Sequence, residues 1–295
     1  MKKLGYLSSA SDDQVFQPQK DAFIAGLQQA GYTPGQNVDV TWKFANGDFS
    51  QLSPLAIQLV QSQVDVIATV GGAISGVAAV TATSAIPVIY ISGYDPNKVG
   101  LNKPNATGVN LSTTESEPQR LQHLKELAGN QKFAVLLREG GKIYDWEKAL
   151  AEQAGLIVVS VPDAAPTASQ IKTAFDQAKN QGAEGMIVCA DPSLTNQYKE
   201  IVKLEKQFNW PCGYSWRQYP EDGGLMSFGP ILSQAFTTVG IYAGRLLTGG
   251  NPGGSGTKIV TYDPKTDYVL VVNKARADRL GLTIPAPWSG DVVIV

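Results

Sequence analysis

One short pattern recurs along this chain and limits its fold more than any other feature. It is an apolar run, then a small-residue tip, then a polar group, then the start of a helix. Pro87-Val88-Ile89-Tyr90-Ile91 shows it most clearly: the run is entered by proline, stops at Ser92-Gly93, and is followed at once by Asp95-Pro96 and a helix-like turn. A run apolar on both faces reads as a parallel strand buried on both sides. Parallel neighbours need a crossover connection, usually a helix. The pattern therefore predicts an α/β chain in which strands and helices alternate.

The other instances follow in order. Leu4 to Leu7 ends at Ser8-Ser9, and Asp65 to Val70 breaks at Gly71-Gly72 into a small-residue helix, Ile74 to Thr83. Phe133 to Leu137 runs into Arg138-Glu139-Gly140-Gly141, Gly185 to Cys189 into Ala190-Asp191-Pro192, and Pro211 to Ser215 into Trp216. Val38 to Phe44, Ala106 to Leu111, Leu156 to Val161 and Tyr268 to Val272 read as further strands. Val15 to Ala30 reads as an amphipathic helix with Phe16, Phe23, Ile24 and Leu27 on one face, closed by Gly31. Ser50 or Ser53 is expected to cap a helix from Leu55 to Gln61, with Pro54 at its first position. Helices are also expected from Ser116-Glu117-Pro118 through Leu127, from about Tyr144 to Gln153, from Ser169 to Asn180, from Leu194 to Phe208, from Leu232 to Leu247 and from Lys274 to Leu280. The apolar tail Val292 to Ile294 either packs or stays loose.

Two successive βα blocks imply two doubly wound parallel-sheet lobes joined by a multi-strand hinge. The expected lobes are 1–111 with about 226–258, and 112–225 with about 259–295. Ala106 to Thr114 is the expected first crossover and Gly223 to Gly229 the expected return. At 295 residues the chain is long enough for two such domains. Open parallel sheets bind ligands beyond the carboxyl ends of their strands, so two such lobes predict a small-molecule cleft.

Other classes are disfavoured. A net charge of -2 gives no electrostatic case for nucleic acid or an anionic membrane. The longest apolar candidate, Val64 to Val80, is interrupted by Gly71, Gly72 and Gly76, so no membrane span is expected. Met1-Lys2-Lys3 leads straight into a strand rather than a secretory leader. That predicts either a cytoplasmic protein or the mature form of an exported one. Cys189 and Cys212 are expected to be buried free thiols. His123, the only histidine, reads as an ordinary helix residue within RLQHLKEL. There is no G-x-S-x-G elbow, H-E-x-x-H pair or Walker loop. Gly71 to Gly76 places Ala73 where a dinucleotide fingerprint needs its second glycine. Binding without catalysis, cofactor or metal is the expectation.

The strand tips carry the candidate ligand groups. Gly71-Gly72 lets backbone amides approach a ligand, and Ala73 and Ser75 lie at a helix start that suits a carboxylate. Tight strand–helix packing explains the same glycines. Ser8, Ser9, Ser92 and Gly93 supply further small tips. Asp95 and Asp191 both precede proline, so each is either a helix cap or the partner of an ammonium. Tyr94, Tyr144, Trp146, Tyr214, Trp216 and Tyr219 gather near tips, with Tyr214 and Trp216 directly ending a strand, where an aromatic plate can clamp a flat ligand. Arg138 and Arg217 also end strands, positions that suit a bidentate hold on a carboxylate or an ordinary salt bridge.

Several segments in order carry a family resemblance. They are Leu4 to Ser9, Gly31-Tyr32 with Gly35 to Val38, Thr83 to Val88, Asp95-Pro96 with Gly100-Leu101, and Ala106 to Val109; then Ala190-Asp191-Pro192, Gly223 to Gly229 and Leu282 to Pro285. The chain resembles the bacterial ABC-transporter substrate-binding proteins of the tryptophan/tyrosine-binding type. The resemblance implies a periplasmic-binding-protein type I fold with three crossovers, which delivers solute to a membrane permease and catalyses nothing. It also implies an extracytoplasmic, monomeric protein and an aromatic or amino-acid-like ligand. By position it places Ser8, Ser9, Gly71, Gly72, Ala73, Ser92, Asp95, Asp191 and Tyr214 at the ligand cleft. The chain departs from the pattern with an extra Tyr94, and with Arg138-Glu139-Gly140-Gly141 where an Asn- or Ser-rich tip is usual. The rival readings are a cytoplasmic enzyme or a ligand sensor on the same scaffold.

Overall fold

The computed structural model describes residues 1–12, 16–162, 165–288 and 292–295. The chain divides into two compact units, Met1–Ser112 with Ile231–Asp263, and Thr113–Pro230 with Pro264–Val295. It therefore crosses from one to the other three times.

The first unit opens with β1 (Lys2–Ser8), α1 (Gln17–Gln29), β2 (Val38–Phe44), α2 (Leu52–Gln61), β3 (Val66–Val70), α3 (Ala73–Ala82), β4 (Val88–Ser92) and β5 (Ala106–Asn110). The second unit is built from α4 (Glu117–Ala128), β6 (Phe133–Arg138), α5 (Gly141–Gln153), β7 (Ile157–Val161), α6 (Ala168–Asn180), β8 (Gly185–Val188), α7 (Pro192–Thr195), α8 (Tyr198–Phe208), β9 (Cys212–Tyr214), α9 (Gln218–Glu221) and β10 (Met226–Pro230). The chain returns to the first unit for α10 (Leu232–Leu247) and β11 (Val260–Thr261). It ends in the second with β12 (Tyr268–Val272), α11 (Lys274–Arg279) and β13 (Val292–Ile294).

Among the described residues the first sheet has strand order β11-β5-β4-β3-β1-β2, and the second β13-β12-β10-β9-β8-β6-β7. The first is parallel throughout. The second is parallel except where β10 meets β12. In each sheet the winding reverses beside its first strand: β1 lies between β2 and β3, and β6 between β7 and β8. Such switch points open a crevice outside the carboxyl ends of the strands, where doubly wound sheets bind ligands.

The local causes are visible in the sequence. β3, β4 and β5 are buried along their whole length, which is why they are continuous rather than alternating apolar runs. Helix α1 ends at Gly31, with φ +87°, in a Schellman turn: Gly31 N donates to Gln28 O at 2.9 Å and Tyr32 N to Leu27 O at 3.0 Å. Its buried face carries Phe23, Gly26 and Leu27; Val15 lies outside the described residues. Helices α1 and α10 pack so closely that a side chain at Gly26 would run into the Thr237 carbonyl, and one at Gly240 into the Phe23 carbonyl.

Some expectations need correction. Helix α2 begins at Leu52, after a 3₁₀ turn Phe49–Gln51; Asp48 caps that turn, and α2 itself starts from Gln51 with no side-chain cap, so neither Ser50 nor Ser53 caps it. The Asp48 carboxylate accepts from Ser50 N at 3.1 Å and Ser50 Oγ at 2.6 Å, so Ser50 is a donor to the cap. The expected helix Leu194 to Phe208 is two helices, because Asp191-Pro192 nucleates the short α7 and a turn at Asn196-Gln197 precedes α8. Gly223 to Gly229 does not form the return crossing: β10 stays in the second sheet, paired with β9 and β12, and the chain crosses after Pro230. The short α9 and β11 were not expected. The tail pairs, with Leu270 opposite Val292 and Val272 opposite Ile294. Among the described residues, no helix is long and apolar enough to cross a membrane.

Candidate functional site

At the switch point of the first unit, β1 ends in Ser8-Ser9 and its neighbour β3 runs into Gly71-Gly72. Ser9 Oγ donates to Gly71 O at 2.6 Å, and Ser8 Oγ accepts from Ala10 N at 3.1 Å. Gly71 and Gly72 have φ of +76° and +94°, conformations that only glycine adopts without strain. Gly72 is the N-cap of α3 and has no side chain over the helix end. Ala73 and Ser75 lie in the first turn, both buried, and the Ser75 hydroxyl has no hydrogen-bond partner among the described residues. Helix N-terminal amides and the macrodipole suit such an end to an anion.

The tip of β4 lies farther along the same sheet edge. Ser92 Oγ donates to Tyr94 O at 2.8 Å and accepts from Tyr94 N at 3.0 Å, which buries both residues in a closed turn around half-buried Gly93. Asp95 accepts from Asn97 N and Asn97 Nδ2, both at 2.9 Å, so it does cap the turn after it. The Tyr90 hydroxyl, on the same strand, is buried with no partner among the described residues. Burial, and then the charge of Asp95, hold its pKa well above the usual phenol range.

At the switch point of the second unit, Arg138 closes β6 and Asp191 follows β8, the adjacent strand. The structure brings these two candidates together: Arg138 Nε donates to Asp191 Oδ2 at 2.8 Å. The other oxygen, Asp191 Oδ1, accepts from Ser193 N at 2.8 Å and from Ser193 Oγ at 2.5 Å, capping α7. Asp191 is thus a helix cap and an ion-pair partner together. Its side chain is 6% exposed and that of Arg138 18%, so the pair is only partly solvated.

The aromatic candidates divide. Trp216 is half-buried just past β9, and its indole N–H donates to Thr195 Oγ1 at 3.0 Å. Thr195 Oγ1 in turn donates to Asp191 O at 2.9 Å, so the plate is fixed to the cap of α7. Tyr214 lies inside β9 and is fully buried. Its hydroxyl donates to Glu205 Oε2 at 2.5 Å, and its ring stacks on Tyr219 with centroids 4.2 Å apart. Glu205 also pairs with Arg276 at 2.9 Å. Burial pushes the Glu205 carboxyl up to about 7, against the pull of Tyr214 and Arg276. Tyr214 and Tyr219 therefore back the tip from the core. Tyr144 and Trp146 are half-buried near the start of α5. Arg217 pairs with Glu221 at 2.7 Å on the exposed side of α9, an ordinary surface bridge.

The remaining chemical groups pack within the second unit. His123 packs against Phe228 and Trp288, with ring centroids 4.8 and 5.5 Å away. Cys189 and Cys212 are free and buried, and burial raises both thiol pKa values. No cluster of metal-ligating side chains occurs among the described residues.

The sequence gives little sign of four further polar groups, one within β4 and three at the tips of the second unit. Tyr90 Oη, Asn196 Nδ2, Ser215 Oγ and Gln218 Nε2 are buried without a partner among the described residues. Ser215 was legible as a small residue at a strand end and lies just past β9; the other three carry no signal short of the packing.

A family model described as ABC transporter substrate binding protein matches residues 11–289. The tyrosine-binding protein of Clostridioides difficile is 32% identical over 96 residues, which cover 32% of this chain and 28% of that relative. The chain's match therefore spans under a third of that relative's length. Among solved structures, a conserved domain protein from Vibrio cholerae superposes with TM-score 0.84 at 20% identity, over 99% of each chain. An ABC domain in complex with L-Trp from Streptococcus pneumonia superposes with TM-score 0.83 at 22% identity, over 100% of this chain and 99% of that one. At these identities the two structures speak for the fold, a type I periplasmic-binding-protein architecture.

Proposed function

Because this chain belongs to the ABC transporter substrate binding protein family, we propose that it is the extracytoplasmic receptor of an ABC importer for a small amino-acid-like or aromatic carboxylate. The observation that carries the reading is the chemistry at the two switch points. Each sheet reverses its winding where the chain has placed polar and small residues: Ser9 on Gly71 in one unit, Arg138 on Asp191 in the other.

Roles follow from the partners each group has. The Gly71-Gly72 turn with the start of α3, flanked by Ser8, Ser9, Ala73 and Ser75, receives the carboxylate. Asp95 accepts from neutral Asn97 groups and is the carboxylate offered to an ammonium, whereas Asp191 already faces Arg138. Trp216 and Tyr144 supply aromatic surface, Tyr214 supports from behind, and the Ser92-Gly93-Tyr94 turn sets the position of Asp95. The relative named for tyrosine and the neighbour holding L-Trp favour an aromatic ligand. The protein hands its ligand to a membrane permease, works as a monomer and carries out no reaction.

A thermal-shift screen of the twenty amino acids and simple aromatic acids tests the reading. A ligand at a hundred times its Kd stabilises by about 2.7 kcal/mol, an upward shift of several degrees. No shift across the panel overturns the ligand class. Asp95→Ala is expected to weaken an amino acid more than tenfold while sparing its deaminated analogue; equal effects on the two remove the ammonium role.

A further inference from the structure

We propose that Asn196, Ser215 and Gln218 form a set of hydrogen-bond donors that takes an oxygen carried on the aromatic ring of the ligand, so that the site prefers an oxygenated ring to a bare one. The proposal rests on the receptor reading above and adds to it the residues that read the ring.

The three residues belong to two loops of the second unit, one after β8 and one after the adjacent strand β9. The bond from the Trp216 indole to Thr195 Oγ1, at 3.0 Å, ties these loops together. Thr195 precedes Asn196, Trp216 follows Ser215, and Gln218 opens α9. In this neighbourhood Asn196 Nδ2, Ser215 Oγ and Gln218 Nε2 are buried and have no partner among the described residues. Ser215 is 2% exposed. Nearly all buried polar atoms in folded proteins are hydrogen-bonded, so three orphans on two linked loops call for a partner from outside the chain.

Their chemistry names that partner. The two amide nitrogens can only donate, and the hydroxyl can donate as well. The group that satisfies all three is an oxygen acceptor. The surface beside them is Trp216, half-buried, with its own N–H already used by Thr195. A ring stacked there with an oxygen on its edge meets the plate and the donors together. An unsubstituted ring meets the plate and leaves the donors unpaired, which is how such sites reject analogues lacking a hydroxyl.

The test compares tyrosine with phenylalanine, which differ by that one oxygen, by calorimetric titration of the full chain. Wild type is expected to favour tyrosine by at least about tenfold. Ser215→Ala, Asn196→Leu and Gln218→Met are each expected to remove most of that preference by weakening tyrosine while phenylalanine moves less than about threefold. Unliganded, each variant is expected to melt at or above the wild-type temperature, because an unpaired buried group is being replaced by an apolar one. Equal wild-type affinity for the two ligands overturns the proposal and leaves the receptor reading in place. So does a parallel loss of both ligands in the variants. A lowered melting temperature without ligand overturns it too, since it means the groups have partners within the chain. Failure of wild type to bind tyrosine, phenylalanine or any other aromatic amino acid overturns this proposal together with the aromatic part of the ligand reading, and silence across the whole amino-acid panel overturns the ligand class.

Discussion

Gly71→Ala is the sharpest probe of how the first unit's tip is built. Gly71 has φ +76°, so alanine there adopts the left-handed conformation at about 1 kcal/mol. The new Cβ would lie 3.0 Å from Ser9 N and overlap Ser9 Oγ. That hydroxyl donates to Gly71 O at 2.6 Å, and Ser9 is fully buried. It has no open space to turn into, and losing its bond costs about another 1 kcal/mol. The sum, about 2 kcal/mol, lowers the melting temperature by roughly 4–8 °C for a protein of this size. Differential scanning calorimetry on a double-mutant cycle separates the parts. Ser9→Ala removes the overlapping atom and the bond, so in that background Gly71→Ala should cost only the backbone strain, about 1 kcal/mol. The coupling between the two sites is then about 1 kcal/mol. If Gly71→Ala costs the same in both backgrounds, the tip is not held by the Ser9 bond and the reasoning fails.

Two further outcomes are expected in the second unit. Burial raises the Glu205 carboxyl to about 7 from an ordinary value near 4.5, so the folded state keeps a proton that the unfolded chain releases. Its contribution is fully present below about pH 4.5 and is lost as pH rises through about 7, at no more than about 1.4 kcal/mol per pH unit. Urea melts from pH 5 to 8 should show this decline, and Glu205→Gln should flatten it; parallel curves would refute the assignment. Arg120 is fully buried and donates from Nε to Phe228 O at 3.2 Å and from Nη2 to Ser116 Oγ at 3.3 Å and Thr113 O at 3.5 Å. Arg120→Ala removes those three bonds and the cation beside Glu117, while Ser116 Oγ and Thr113 O stay bonded to each other, and should destabilise by about 3–5 kcal/mol in denaturant melts, whereas a loss under 1 kcal/mol would mean the guanidinium holds nothing together.

Much of the fold was legible because buried parallel strands are continuous apolar runs. β2, β12 and α10 match their expected bounds residue for residue. The misses share a cause: local signals do not encode what packs against them. The sequence from Leu194 to Phe208 stays helix-compatible throughout, so the turn at Asn196-Gln197 is invisible until Asp191 is seen capping a helix of its own. β11 is two residues long and exists only because β5 lies beside it. At the tips, Arg138 and Asp191 were each legible as candidates, but their pairing depends on β6 and β8 being neighbours across a reversal in strand order. Tyr214 and Trp216 looked alike in sequence. One lies within β9 and turns to Glu205, and the other lies past its end and is tied to α7. The unpaired donors at Asn196, Ser215 and Gln218 are a property of packing alone, so composition and spacing were silent about them.

A crystal structure of the protein with an aromatic amino acid, or with whatever ligand stays bound through purification without denaturation, tests the central claim most directly. The account expects the ligand's carboxylate on the Gly71-Gly72 turn, its ammonium near Asp95 and its ring against Trp216. Density for the ligand on an outer helix face, away from the carboxyl ends of both sheets, would contradict it.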